Sequence, residues 1–282
     1  SCWLVQSRFK PRDVDRWWKI EFEEHRTAHS APASLSVACG ELLGGAPGRQ
    51  NRDGEWLLRW REAITSEYVR RKRPVNIFID YSSMPRAVYG PLLIEAFRTS
   101  TEMVNSVTFA YVPGEHAGDI DGSRGIEGLR PLVGAEGRSE HDRSAFILGL
   151  GYDGVLAQTV LELFQVTHFS CLYADPGVSE TSVERALVAN AAVIQRAELV
   201  ATAAAWSVGE ALDATLRLSD WYLGARDVLL VPLGPKPHVL AGILAASLRP
   251  ELGFRFPETS HVRPVQVIVP DGAEPYFTKI SQ

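Results

Sequence analysis

The chain has 282 residues, a net charge of −5 and a pI near 5.8, with 45% hydrophobic and 22% charged residues. That length can bury a substantial core in one large or two small domains, and the charge balance excludes the strongly basic footprint of a dedicated nucleic-acid binder. Cys2, Cys39 and Cys171 are odd in number and widely spaced, so neither a disulfide framework nor a zinc ribbon is expected. Cys2 and Cys171 read as core fillers in a reducing compartment. No apolar run approaches the span of a bilayer. Residues 1–12 lack the pattern of an export signal, and the cytoplasm is the expected compartment.

Short apolar runs recur along the chain, each followed by turn residues and then a helical pattern. In order they are residues 2–6 (CWLVQ), 35–38, 75–79 (VNIFI), 107–112 (VTFAYV), 145–150 (AFILGL), 169–173 (FSCLY), 228–231 (VLLV) and 265–269 (VQVIV). Runs that are apolar throughout and rich in β-branched or aromatic residues read as strands covered on both faces. Three-to-four spacing predicts helices over 55–69, 89–97, 155–164, 183–199, 208–223 and 239–248. Strands alternating with helices predict an α/β, Rossmann-like fold: a mostly parallel sheet with helices on both faces. Residues 114–143 break this rhythm, being rich in Gly, Asp, Glu and Arg. The expected organisation is therefore two Rossmannoid halves, 1–115 and 145–282, joined by a polar linker or flap over 116–144, with one shared sheet as the alternative.

In an open parallel sheet, ligands bind beyond the carboxyl ends of the strands, so the residues after each apolar run are the candidates. After VNIFI come Asp80, Tyr81, Ser82, Ser83, Met84, Pro85 and Arg86. Pro85 suits a first helical turn, and Ser82 or Ser83 can cap it. Free N–H groups, two hydroxyls and Arg86 then suit an anion. Asp80 can accept from a sugar hydroxyl, hold a cation or act as a base; the plain alternative is a cap and a loop tie. After VLLV, Gly234 permits close backbone approach, Lys236 supplies a point charge at a helix start, and His238 follows, although no P-loop is present. After AFILGL, Gly151 and Gly154 permit a tight turn, Tyr152 offers a ring for stacking on a base, and Asp153 can cap. After FSCLY, Asp175 sits in an Asp-Pro-Gly turn, with Glu180 and Glu184 spaced to share a helix face.

The pattern Asp80-x-Ser82-x-x-x-Arg86 after a strand resembles the signature of CRISPR-associated Rossmann fold (CARF) sensor domains. The resemblance covers roughly residues 1–115. It implies that Ser82 and Arg86 face a ligand with Asp80 at the strand end. It also implies a cyclic oligonucleotide messenger bound at a dimer interface, in prokaryotic antiviral signalling.

The remaining polar and aromatic groups read more plainly. Arg8, Lys10 and Arg12 add positive charge after the first run. Residues 70–73 (RRKR) suit a solvated helix end. Trp17, Trp18 and Phe22 look like packing residues. The histidines lack HxH or HExxH spacing, so no metal is expected, and no GxSxG elbow is present. No cofactor motif stands out.

The leading expectation is a nucleotide-sensing protein whose phosphate site is lined by Asp80, Ser82, Ser83, Arg86, Gly151, Tyr152, Gly234, Lys236 and His238. Its partners would be a nucleotide or cyclic oligonucleotide and a second copy of the chain or another defence protein, with no membrane. The alternatives are a nucleotide-processing enzyme and a non-catalytic interaction subunit. The enzyme would be a ring-nuclease-like phosphodiesterase or an N-glycosidase, with Asp80, Asp175, Glu180 or His238 as catalytic candidates.

Overall fold

The computed structural model describes residues 55–82, 84–116, 126–138, 144–259, 267–269 and 273–281. The predicted strands at 2–6 and 35–38 lie outside the described residues. So do Cys2, Arg8, Lys10, Arg12, Trp17, Trp18, Phe22, Cys39 and Ser83.

Helix α1 (Glu55–Arg71) turns Trp60 and Ile64 inward and ends in basic residues, as its last turn favours. It leads into a parallel unit of β1 (Val75–Asp80), α2 (Arg86–Arg98) and β2 (Val104–Tyr111). The short β3 (Glu115–His116) and then β4 (Ile126–Pro131) follow. Next come β5 (Ser144–Gly149), α3 (Gly154–Leu163), β6 (Phe169–Ala174), α4 (Glu180–Ala189), α5 (Ala191–Arg196) and β7 (Leu199–Ala203). The chain continues through α6 (Val208–Tyr222), β8 (Asp227–Pro232), α7 (Lys236–Leu248) and β9 (Leu252–Thr259). It closes with β10 (Val267–Ile268) and β11 (Tyr276–Ser281).

The larger sheet has six strands in the order β4-β9-β8-β5-β6-β7. All neighbours from β9 to β7 are parallel, and only β4 runs antiparallel, on β9. The chain winds from β5 outward through β6 to β7, then returns to β8 on the other side of β5. The gap between β5 and β8 is therefore the topological switch point of a Rossmann-like sheet. Helices cover both faces, as buried parallel strands require: α3 and α5 pack on the face of Phe146, Leu148 and Cys171, and α6 and α7 on that of Ala145, Ile147 and Leu230. Burial pushes the Cys171 thiol up to about 12, which fits a core filler.

A second, three-stranded sheet has the order β1-β2-β11, with β11 antiparallel on β2. The two sheets do not merge. One hydrophobic core nevertheless runs through both, because α7 packs on the larger sheet and on α2. Every residue from Pro237 to Ala246 is buried, as expected of a helix that is apolar all round.

Several elements differ from the sequence reading. The helix expected over 183–199 is two helices broken at Asn190, followed by strand β7. The Asn190 amide donates to the carbonyl of Ala186 and, across the fold, to that of Gly151, which diverts the chain from its helical path. Part of the segment read as linker or flap is strand β4, held by the partner β9 rather than by its own apolar content. β9 itself was hidden by Gly253, Arg255 and Pro257 among its apolar residues. Among the described residues, the run at 265–269 contributes the two residues of β10, paired with β3.

Leu240 on α7 is fully buried in the core shared by both sheets. Leu240→Ala is expected to destabilise by about 3 kcal/mol. Urea unfolding should keep one transition, followed by fluorescence and far-UV circular dichroism together, with a lower midpoint.

Candidate functional site

Two strand-end turns from the two sheets meet at the switch point. The first descends from β1. Asp80 Oδ1 accepts from the Ser82 N–H (3.0 Å) and the Ser82 hydroxyl (2.6 Å), and Ser82 Oγ accepts from the Val112 N–H (2.9 Å). Ser82 thus ties the turn to the end of β2 and does not cap α2. The cap position is Pro85, with no side-chain cap hydrogen bond. The second turn descends from β8, where the Leu233 N–H donates to Gly149 O at 2.7 Å. Its helix, α7, also starts after a proline, Pro235.

Each helix then begins with a cation that reaches across to the other turn. Arg86 donates through Nη1 to Pro232 O (2.7 Å) and through Nη2 to Gly234 O (2.9 Å). Lys236 Nζ donates to the carbonyls of Tyr81 (3.1 Å), Ser82 (2.6 Å) and Met84 (2.8 Å). The two contacts are reciprocal. A strand, a turn, a proline and a cation on one side hold the carbonyls of the same arrangement on the other. Burial first, and the neighbouring Arg86 guanidinium second, push the Lys236 ammonium down to about 7, against the Asp80 carboxylate, which favours the charged form.

A group of tyrosines lies against this crossing. Tyr81 is buried, its ring centroid 5.2 Å from that of Tyr89 and 5.6 Å from that of Tyr111. Tyr89 is fully buried, and its hydroxyl has no hydrogen-bond partner. Burial raises the Tyr89 phenol well above its usual range, while Arg86 pulls it down. Tyr111 is half-buried and is pushed up to about 12, by burial first and then by the nearby Tyr152. Tyr152 is half-buried too, with the Arg185 guanidinium 5.4 Å from its ring centroid.

The structure therefore brings Asp80, Ser82, Arg86, Gly234 and Lys236 to one place, with Tyr152 beside them near Tyr111. Gly151 and Gly154 serve close packing of backbone. A Cβ on Gly151 would lie 2.5 Å from Leu233 O, and one on Gly154 1.7 Å from Ala189 O. Asp153 caps α3 by accepting from the Leu156 N–H at 3.0 Å. His238 points elsewhere: it is buried, its Nε2 lies 3.0 Å from Ala204 O, and burial holds its imidazole below the usual range. Asp175, Glu180 and Glu184 are exposed, and no hydrogen bond or ion pair joins them to the crossing. No group of three or more acidic, histidine or cysteine side chains suited to a metal ion occurs among the described residues.

The sequence reading missed Tyr81, Tyr89 and Tyr111. Tyr81 stood inside the motif, between Asp80 and Ser82, and its inward direction follows from strand alternation. Tyr89 lies one helical turn after Arg86, on the buried face of α2.

No family model matches the sequence, and no curated protein does. No helix among the described residues is long and apolar enough to cross a membrane.

Lys236 gives the protein a distinct pH response. Below pH 7 the ammonium is charged in both the folded and the unfolded chain, and the cost of burying it is fully present. Between about 7 and the ordinary lysine value near 10.5 the unfolded chain holds the proton and the folded chain does not. Unfolding free energy is therefore expected to rise across that window, by at most about 1.4 kcal/mol per pH unit from this group. Lys236→Met should lack that slope. It should also be less stable by about 2–4 kcal/mol at pH 7, because the Ser82 and Met84 carbonyls lose their donor and Tyr81 O keeps only the Met84 N–H. Urea titrations of both chains at pH 6, 7, 8 and 9 measure both effects.

Proposed function

We infer that the protein binds a phosphate-bearing small molecule, a nucleotide or cyclic oligonucleotide, where the β1 and β8 turns cross, and acts as a sensor of it. The observation that carries this reading is the convergence of positive charge. Two thirteen-residue helices, α2 and α7, point their N-termini at the crossing, each begins with a cation, and neither has an acidic residue in its first turn. Cations belong at helix C-termini, where the macrodipole favours them. Placing two at the wrong ends, side by side, breaks a local rule of the kind proteins break at functional sites. An anion there would satisfy both dipoles and both side chains.

Phosphate oxygens are better partners for these cations than the carbonyls they now hold, because both members of the hydrogen bond then carry charge. Exchange of carbonyls for phosphate would loosen the grip of each turn on the other, so occupancy would be felt by both sheets. Tyr111 and Tyr152, half-buried beside the cations, are suited to stack on a base. A cytoplasmic antiviral signalling setting rests on the resemblance of Asp80-x-Ser82-x-x-x-Arg86 to CARF domains. So does a second copy of the chain, since one chain already opposes the two turns.

A second reading has its own observation. All three Lys236 donors are taken by carbonyls, and Asp80 and Ser82 satisfy each other. On that reading the crossing is a permanent clasp, and the protein is an interaction subunit. Thermal unfolding against mono-, di- and cyclic nucleotides separates the two. A ligand at a hundred times its Kd should stabilise the native chain by about 2.7 kcal/mol. Arg86→Ala should show no such gain over its own ligand-free transition. Stabilisation by no nucleotide would favour the clasp.

A further inference from the structure

At the opposite end of the six-stranded sheet from the crossing, where β6, β7 and β8 begin, one series of side chains links three loops. Arg226, just before β8, brings its Nη2 to 2.7 Å from His168 Nε2. His168, just before β6, brings its Nδ1 to 2.6 Å from Oε1 of Glu198, just before β7. The Glu198 carboxylate also faces the Tyr222 hydroxyl at the end of α6, which lies 2.7 Å from Ser170 Oγ on β6. Tyr222 and Ser170 are buried. The His168 side chain is 36% exposed, so protons from solvent reach the imidazole.

The partners fix which nitrogen carries the proton. A guanidinium only donates and a carboxylate only accepts. Nε2 is therefore the acceptor and bears no proton, and Nδ1 bears one and donates it to Glu198. This arrangement holds a neutral imidazole. A second proton has one place to go, Nε2, where it sets N–H against N–H and positive charge against positive charge. The Arg226 contact is then lost, while the Glu198 contact becomes an ion pair. Tyr222 stays neutral wherever an imidazole titrates, because burial first pushes its phenol up to about 12. Through Arg226 the α6–β8 turn is tied to this edge of the sheet. Within the turn the Ala225 and Arg226 N–H groups donate to Tyr222 O at 3.1 and 3.0 Å, and Gly224 and Ala225 are exposed.

We propose that His168 is a proton-operated latch on the α6–β8 turn: the neutral imidazole holds Arg226, and the imidazolium releases it. An imidazole ordinarily exchanges its proton between pH 5 and 8, so mild acidification is the signal. The latch is independent of the phosphate site, since it needs neither a ligand nor the cations at the crossing.

Two measurements on the full chain test it. Long-range ¹H–¹⁵N correlation, with the His168 signals assigned by His168→Gln, reads the tautomer. At pH 8 the proton should sit on Nδ1, although an unrestrained neutral imidazole favours Nε2. Hydrogen exchange reads the latch. After correction for the intrinsic effect of pH on exchange, the Ala225 and Arg226 amides should be protected about threefold less at pH 5 than at pH 8, the size of a partly exposed charged contact. In Arg226→Ala the amides at 225 and 226 should show the low protection at both pH values. That variant keeps Lys236 and every carboxylate, so it separates the latch from a general effect of acid. An Nε2–H tautomer at pH 8, equal protection of the turn at the two pH values in the native chain, or the same pH dependence retained in Arg226→Ala would each overturn the proposal.

Discussion

The organisation of this molecule depends on a reciprocal exchange of hydrogen bonds between two turns. Arg86 holds the carbonyls of Pro232 and Gly234, and Lys236 holds those of Tyr81, Ser82 and Met84. Tyr81 O also accepts from the Met84 N–H, and losing the side-chain donors of the other carbonyls in this half-buried place would cost about 1–3 kcal/mol each. Supplying those donors with charged side chains brings the opposite difficulty, since desolvation and mutual repulsion lower the Lys236 ammonium to about 7. The result is a joint whose parts satisfy each other while carrying more positive charge than the site neutralises comfortably.

That joint is set into a rigid frame. The order of the six-stranded sheet places the switch point between the neighbours β5 and β8, and the backbone of Gly151 packs against that of Leu233 there. α7 starts at the joint and is buried from Pro237 to Ala246. A change in what Lys236 holds is therefore a change at the head of a helix that packs on the larger sheet and on α2. Such a packed element favours discrete arrangements over continuous deformation, which suits a sensor.

Much of the fold was legible because buried parallel strands announce themselves as unbroken apolar runs, as at β1, β2, β5, β6 and β8. What stayed hidden was decided by tertiary partners. β7 and β9 are composed of residues that fit a helix or a loop as well as a strand, and β4 and β11 exist because β9 and β2 offer them edges. The same limit applied to the site. Strand-end position singled out Arg86 and Lys236, but nothing in either segment revealed that each would reach carbonyls about 150 residues away. His238, after β8, and Gly151, after β5, had equal claims by position. Only burial and backbone contact separate the imidazole that turns to Ala204 and the glycine that serves packing from the groups at the crossing.

The central claim is that Arg86 and Lys236 crowd two positive charges at the crossing, where an anion would favour both, as proposed above. Nuclear magnetic resonance of the full chain carrying ¹⁵Nζ-labelled lysine, assigned with Lys236→Met, tests it most directly. The Lys236 resonance should titrate near pH 7 in the free chain and move to higher pH on addition of a stabilising nucleotide, as an anion restores the charged form. A titration near the ordinary lysine value in the free chain, or one that a bound nucleotide leaves unmoved, would contradict the account.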